Sequence, residues 1–290
     1  MAWPAPVRSR PYAVAQFRAM ASPCRIIAET QELAAAGASL VHELERRWSR
    51  FIPTSEISIL NRADGSLCIV SPETLHLIER AEFARLATEG AFNPLVLNRL
   101  VALTATADRA SRSVPDEPID LFADVDGVRL PGGACFDPGG IGKGLAGDLV
   151  IERLIDMGAT TAQVELGGDV RVFGENWTGG DWSVNVTDST NRSNVIAKIS
   201  VSEGAVATSS VLAHCWERNG QAMHHLIDPT TGMPSATDLG SVTAVSSELW
   251  WAEVVAKVAL MAGLRQAPGV MRRHAATGLL VDRRGERHVI

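Results

Sequence analysis

Four short stretches of this chain combine residue types that a plain apolar core does not require. The first, Asp137-Pro138-Gly139-Gly140-Ile141-Gly142-Lys143-Gly144, packs four glycines into eight residues and runs into a helical apolar pattern. Glycine lets the backbone turn sharply and approach a ligand closely. A turn that opens a helix aims free N–H groups outward, and Lys143 adds positive charge, which together suit a phosphate. The spacing is neither G-x-x-x-x-G-K-[ST], since Gly144 follows the lysine, nor G-x-G-x-x-G. The competing reading is an ordinary tight strand-to-helix connection. The other three stretches are Gly167-Gly168-Asp169 at a strand end, Thr208-Ser209-Ser210 at another, and His224-His225 followed by the turn Asp228 to Gly232. Paired glycines at a strand end suggest backbone that comes close to something.

The elements that must position these residues follow from periodicity. Residues 12–17 and 24–29 alternate as two short strands, and residues 31–48 form a helix with Leu33, Ala36, Leu40, Leu44 and Trp48 on one face. Residues 48–62 mix turn residues with a short helical turn ending at Asn61, which Ser55 is placed to cap; Asn61 itself reads as a helix C-cap. A second long helix spans 72–88, residues 104–117 read as a polar surface loop, and 122–131 as a hairpin turning at Asp126-Gly127. After the glycine turn come a helix (145–157), strands at 162–166 and 170–174, and alternating strands within 182–201 broken by the polar run 187–194. Strand 241–245, helix 249–262 and strand 278–282 complete the chain.

Composition narrows the class. The 290 residues suit one large domain or two closely packed ones, with 46% hydrophobic and 21% charged residues as in ordinary globular proteins. A formal net charge of −6 argues against a nucleic-acid surface. The four cysteines (Cys24, Cys68, Cys135, Cys215) lie far apart and form no C-x-x-C pair, so neither a zinc site nor a disulfide scaffold is indicated. Residues 1–11 read as a loose proline-rich leader and 12–290 as one domain. With no signal peptide or membrane span in the pattern, the expected location is cytoplasmic.

In this order the motifs resemble the FAD:protein FMN transferase (ApbE) family. Asp137 to Ala146 is similar to its D-x-G-G-I-A-K-G-Y-A motif, and Val164 to Val170 to its N-x-G-G-D strand. Ala205 to Ser209 matches A-V-A-T-S, and His224 to Gly232 matches H-H-I-I-D-P-x-T-G almost letter for letter. Ser49 to Asn61 is similar to S-x-Y…S-E-[IL]-S-x-L-N, and Gly90 to Val96 to G-A-F-D-P-x-V; the resemblance covers roughly residues 20–263 in one collinear order.

The resemblance implies an α+β, T-fold-like architecture. Its core would be a mixed or antiparallel sheet with packed helices, and its cofactor cleft would lie between two interleaved subdomains. It implies FAD as substrate, transfer of the FMN moiety through a phosphoester to a threonine of a target protein, and release of AMP. The acceptor would carry a Ser-Gly-Ala-Thr-like motif. On this reading Asp137, Gly139, Gly140, Lys143, Gly167, Gly168, Asp169, Thr208, Ser209 and His224 contact the cofactor, and the glycine turn with Lys143 positions the pyrophosphate. His225 serves as the base near the phosphate, with Asp228 orienting it or its loop. His224 also suits a strand residue that packs or caps, Thr208 and Ser209 also suit a solvent-facing strand end, and Asp169 also suits fixing its own turn. The alternatives to transfer are an FAD-binding relative without activity, or a hydrolase giving FMN and AMP.

Several positions depart from the family pattern. The family holds magnesium with an Asp-x-x-x-Thr pair and a backbone carbonyl; the corresponding residues here are Glu253, Lys257 and the Gly142 carbonyl. Glutamate is a plausible oxygen ligand, whereas a lysine ammonium has no lone pair to offer. Glu253 and Lys257, four apart on a helix, are expected to pair with each other. Lys257 then either takes the place of the metal and neutralises phosphate, or swings aside from a shifted metal site, or marks lost catalysis. Phe51-Ile52 stands for the tyrosine of S-x-Y, Asn93 for an aspartate, Ser210 for a glycine and Leu145 for a tyrosine, and the region after Leu97 is shorter and lacks a tryptophan-containing segment.

Overall fold

The computed structural model describes residues 11–104, 114–115, 117–191, 193–212, 215–218 and 221–290. Residues 1–10 of the leader and most of the expected 104–117 loop fall outside them. In chain order the elements begin with β1 (Ala13–Ala19), β2 (Ser22–Ala28), α1 (Gln31–Trp48), α2 (Glu56–Arg62), β3 (Cys68–Ile69) and α3 (Pro72–Ala87). Next come α4 (Leu97–Thr104), β4 (Asp120–Phe122), β5 (Gly127–Arg129), α5 (Gly142–Asp156), β6 (Ala162–Leu166) and β7 (Asp169–Phe173). The chain continues through β8 (Trp182–Thr187), β9 (Val195–Val201), β10 (Gly204–Ser210), β11 (Cys215–Arg218) and β12 (Gln221–His224). It closes with β13 (Leu239–Ser246), α6 (Leu249–Ala262), α7 (Ala267–Arg273), β14 (Thr277–Asp282) and β15 (Arg287–Val289).

Eight strands form one sheet in the order β1-β2-β6-β7-β10-β13-β14-β15, and every pairing in it is antiparallel. The α+β expectation holds, with the sheet antiparallel rather than mixed. Strand alternation assigns its two faces. Val170 and Val172 of β7, with Val206 of β10, face the β8–β9 hairpin and cluster with Trp182, Val184 and Val201. Arg171 faces the other way, toward Asp148 of α5, while Ala205 and Ala207 of β10 meet Leu249 and Ala252 of α6. Small residues on that face let α6 lie close to the sheet. Helices α1, α5 and α6 thus form one layer over it.

Local chemistry sets the ends of these helices. Ser55 caps α2 by accepting from Ser58 N (3.0 Å), as the sequence leads one to expect, and Thr30 caps α1 by accepting from Leu33 N (3.2 Å). The buried stripe of α1 runs through Gly37 and Val41 rather than Ala36 and Leu40. Gly37 is the reason: a Cβ there would fall 2.9 Å from Ile26 Cδ1 and 3.0 Å from Val150 Cγ1, so its absence admits β2 and α5. Helices α4 and α7, the strand pair β11–β12, and β3 and β15 are additions to the elements read from sequence. Among the described residues no helix is long and apolar enough to cross a membrane.

Candidate active site

The glycine turn is held from both sides before its own geometry begins. Asn61 of α2 receives Phe136 N on its Oδ1 (2.7 Å) and donates Nδ2 to Phe136 O (2.9 Å), pairing with that residue as a strand neighbour would. The helix C-cap is Ala63, so Asn61 is a clasp for the segment entering the turn rather than the cap expected of it. Asp137 donates its backbone N–H to Pro94 O (2.7 Å), and its carboxylate accepts from Gly139 N (3.2 Å) with Arg50 Nε 3.7 Å away. Ile141 and Gly142 both donate to Pro138 O, and Gly142 opens α5. Gly140 has φ +96°, and a Cβ on it would sit 2.8 Å from Lys257 Cδ and 2.9 Å from its Nζ. The positive φ is what favours glycine here, and the end of the Lys257 side chain fills the space its missing Cβ leaves.

The two lysines of the site have different surroundings. Lys143 places its ammonium between Glu253 Oε1 (2.7 Å) and Asp169 Oδ2 (3.1 Å). Burial lowers its pKa, but the two carboxylates outweigh that and hold it above the usual lysine range. The second oxygen of Glu253 accepts Gly144 N (2.8 Å), an orphan donor of the first turn of α5. Asp169 in turn accepts Thr208 N (2.9 Å), and Thr208 Oγ1 pairs with Thr243 Oγ1 (2.9 Å). Lys257, 8% exposed, donates instead to Gly139 O (3.2 Å), with its ammonium 5.3 Å from the centre of the Phe92 ring. Burial pulls its pKa down; Asp137 and Glu253 oppose that pull without cancelling it. The expected Glu253–Lys257 pair is replaced by Glu253–Lys143, because Lys143 and Gly144 N converge on the carboxylate from α5.

Helices α5 and α6 cap each other. While Glu253 of α6 satisfies Gly144, Asp148 of α5 accepts Leu249 N (2.9 Å) and Trp250 N (2.8 Å) at the start of α6, and Arg171 Nε (3.0 Å). Burial pushes Asp148 up to about 6, against the pull of those donors. The crossing is close: a Cβ on Gly144 would lie 2.5 Å from Trp250 Cα. Asp148 and Arg171 were not singled out by their sequence positions; a polar residue at an apolar helical position was the available signal.

The paired glycines 167 and 168 form the two-residue turn between β6 and β7, both at positive φ (+70° and +106°). Gly167 passes close to Ser22 Oγ and the Lys143 stem, whereas a Cβ on Gly168 would meet nothing within 4 Å. Ser209, beside Thr208 at the end of β10, is half-buried.

His224 ends β12, is buried, and its Nε2 donates to Ser235 O (3.0 Å). Burial lowers its pKa and favours the neutral ring, and Nδ1 has no partner among the described residues. His225 is half-buried, the more accessible of the pair. Asp228 shapes the turn: its carboxylate accepts Thr230 N (2.9 Å) and Thr231 Oγ1 (3.1 Å), and its carbonyl accepts Gly232 N (2.8 Å). Arg99 of α4 donates Nε and Nη2 to Gly232 O (3.0 and 2.8 Å), so a residue absent from the sequence motifs ties this loop to α4.

A cavity of about 290 Å³ adjoins the turn, lined by Arg50, Phe51, Ser58, Asn61, Arg62, Leu97 and Val101. A second hollow of about 360 Å³ lies by Glu29, Thr30 and Gly158, at the far end of α5. A helix of fifteen residues separates it from the turn, roughly 22 Å.

The oxygen donors do not fit a divalent cation. Both oxygens of Glu253 are taken, by the Lys143 ammonium and by Gly144 N, and a second ammonium, that of Lys257, stands on the Gly139 carbonyl of the same turn. Magnesium requires near-octahedral oxygen ligation, which this set does not offer.

A sequence model described as the ApbE family matches residues 20–280. The chain is 29% identical to the FAD:protein FMN transferase of Treponema pallidum over 252 residues, 74% of this chain and 69% of that protein. It is 26% identical to the protein of the same description from Vibrio cholerae serotype O1 over 270 residues, 88% and 80% of the two chains. An ApbE protein of known structure from Thermotoga maritima superposes with a TM-score of 0.85 at 26% identity, covering 96% of each chain. The Pseudomonas stutzeri flavinyl transferase ApbE shares the fold, with a TM-score of 0.81 at 19% identity over 96% and 93% of the two chains.

Proposed function

We propose that this chain, which belongs to the ApbE family, transfers the FMN moiety of FAD to a threonine or serine hydroxyl of a target protein and releases AMP. The observation that carries this reading is convergence. The glycine turn, the Gly-Gly-Asp hairpin, the Thr208 strand end and α6 lie 26 to 110 residues apart in sequence and meet in one hydrogen-bonded network. The network braces the glycine turn in one geometry, with its lysine satisfied by its own carboxylates, and a turn so held is preorganised for a dianionic pyrophosphate.

In the proposed reaction the acceptor oxygen attacks the FMN-side phosphorus. A new P–O bond forms, the bond from that phosphorus to the bridging oxygen breaks, and the bridging oxygen leaves with AMP. The hydroxyl proton passes to His225, whose partial exposure suits a base that must meet a macromolecular substrate. Asp228 and Arg99 hold the loop that carries it. Asp137, Gly139 and Gly140 shape the phosphate turn, and Lys257 supplies positive charge there. Lys143, Asp169, Gly167, Gly168, Thr208, Ser209 and His224 support the pocket walls, with Glu253 as the anchor of Lys143. The cavity bounded by Phe51 and Asn61 is the proposed flavin side. Magnesium is given no step. The acceptor is proposed to carry a Ser-Gly-Ala-Thr-like segment. The free thiols Cys24 and Cys68 suit a reducing compartment, and we assign the chain to the cytoplasm.

Incubation with FAD and a Ser-Gly-Ala-Thr acceptor domain, read by intact mass, tests the proposal. The expected result is an acceptor heavier by FMN less water, with AMP released, and loss of that product in His225→Ala. FMN and AMP appearing without a mass gain would move the assignment to hydrolysis. Bound FAD left intact would make the chain a flavin binder.

A further inference from the structure

The chain contains three lysines, and two of them, Lys143 and Lys257, stand at the glycine turn. Lysine is seldom buried without a counter-charge. Lys143 has two, Glu253 and Asp169, and both are spent on it. Lys257 is more deeply buried, yet its one hydrogen-bond partner among the described residues is the neutral Gly139 carbonyl. An ammonium carries three donors. Its two carboxylate neighbours form no ion pair with it: Asp137 accepts Gly139 N and lies 3.7 Å from Arg50 Nε, and Glu253, one turn away on α6, is already bound to Lys143 and Gly144.

The packing around Lys257 is built to hold this ammonium in place. Gly140 lacks the Cβ that would strike the Lys257 stem, and the Phe92 ring lies alongside. A positioned, under-compensated cation against the concave side of a glycine turn calls for an anion. A strut between α6 and the turn would be made at lower cost by an apolar side chain.

We infer that Lys257 is the resident cation of the phosphate-binding turn, holding the place a divalent ion would otherwise take, so that pyrophosphate binding by this chain requires no metal. The inference rests on the proposed use of FAD but is separable from the transfer step. It commits the roles of the two lysines: Lys143 braces α5 against α6 and β7, and Lys257 meets the ligand.

Calorimetric titration of FAD into the full chain, once in EDTA and once in magnesium, tests this directly. The expected dissociation constants agree within about twofold, and Mn2+ added without FAD keeps the resonance spectrum of the free ion. Lys257→Met keeps the length of the stem and removes the charge. It should weaken FAD binding roughly 10- to 100-fold, the loss of one charge-assisted hydrogen bond, with no recovery in magnesium. Binding of riboflavin, which has no phosphate, should be unchanged in that variant, which separates a lost charge from a damaged pocket. Binding that needs magnesium, stoichiometric Mn2+ uptake, or parental FAD affinity in Lys257→Met would each overturn the inference. Metal-free FAD binding without flavin transfer would leave it standing and sink the transfer reading instead. Absence of FAD binding in both buffers would overturn both.

Discussion

Replacing Gly144 with alanine sets two effects of opposite sign against each other. Gly144 lies in the first turn of α5, where alanine is favoured over glycine by about 1 kcal/mol of helix propensity. The added methyl would lie 2.5 Å from Trp250 Cα and 2.7 Å from both Leu249 O and Trp250 N. Ordinary carbon contacts lie near 3.5–4.0 Å, so α5 and α6 must part by about 1 Å. All three atoms are backbone, so no side-chain rotation relieves the clash. Overpacking of this kind costs about 1–3 kcal/mol. The same movement stretches the charge-assisted bonds from Leu249 N and Trp250 N to Asp148, and from Gly144 N to Glu253. Losing one of them adds about 2 kcal/mol. The clash therefore wins, and the net destabilisation is about 3 kcal/mol. For a chain of this size that lowers the midpoint by about 6–12 °C. Gly269 is the control: it lies exposed in α7, and a Cβ there meets nothing within 4 Å. Gly269→Ala should therefore raise stability by up to about 1 kcal/mol. Urea and thermal melts of both variants, without ligand, decide the matter. If Gly144→Ala is as stable as the parent, or if the two variants shift in the same direction, the close crossing of α5 and α6 is wrong.

Two further outcomes follow from the site. Asn61→Ala removes both hydrogen bonds that clasp Phe136; it should cost about 1–3 kcal/mol in a thermal melt and weaken FAD binding through a loosened turn. His224 has a folded-state pKa below its unfolded value, so the unfolded chain takes up a proton that the folded chain resists. Its contribution is complete above the unfolded value near 6.5 and is lost as pH falls through the folded value. Asp148, raised to about 6, acts in the opposite sense: its contribution is present below 3.8 and lost as pH rises to about 6. Comparison with His224→Gln, which keeps a donor for Ser235 O, isolates the histidine. The parent should lose more melting temperature than the variant between pH 7 and 5.5, and equal slopes would refute the assignment of a neutral buried ring.

Much of the scaffold could be read locally. Helix α1 and helix α6 begin and end where periodicity places them, and Ser55 caps α2 as its position suggests. These depend on neighbours within a few residues. Helix α4 and the β11–β12 pair were not read, and both are short segments whose burial comes from each other: Leu100 and Leu103 pack with Met223 and Ile227 across more than a hundred residues. Asn61 shows the same limit. Nothing near it in sequence announces that Phe136, 75 residues on, will use its side chain as a strand partner.

The two lysines carry this point furthest. Lys143 stands among glycines and reads as the phosphate ligand, while Lys257 follows Glu253 by one helical turn and reads as its ion-pair partner, with a place at the phosphate as one of its alternatives. Both expectations use sound local rules. The i,i+4 pair gains only about 0.2–0.5 kcal/mol, because on an exposed helix it competes with water. At the α5–α6 crossing water is excluded, and Glu253 instead finds an ammonium and an orphan helix N–H from α5, each worth more in that setting. Once Glu253 is claimed, Lys257 is left facing the turn, and Lys143 is drawn inward to the two carboxylates. Glu253 thus takes one lysine in place of the other. A single non-local contact, the approach of Gly144 to Trp250, is what makes that exchange possible, which is why a methyl group at position 144 should disturb the glycine turn as well as the packing of its helix.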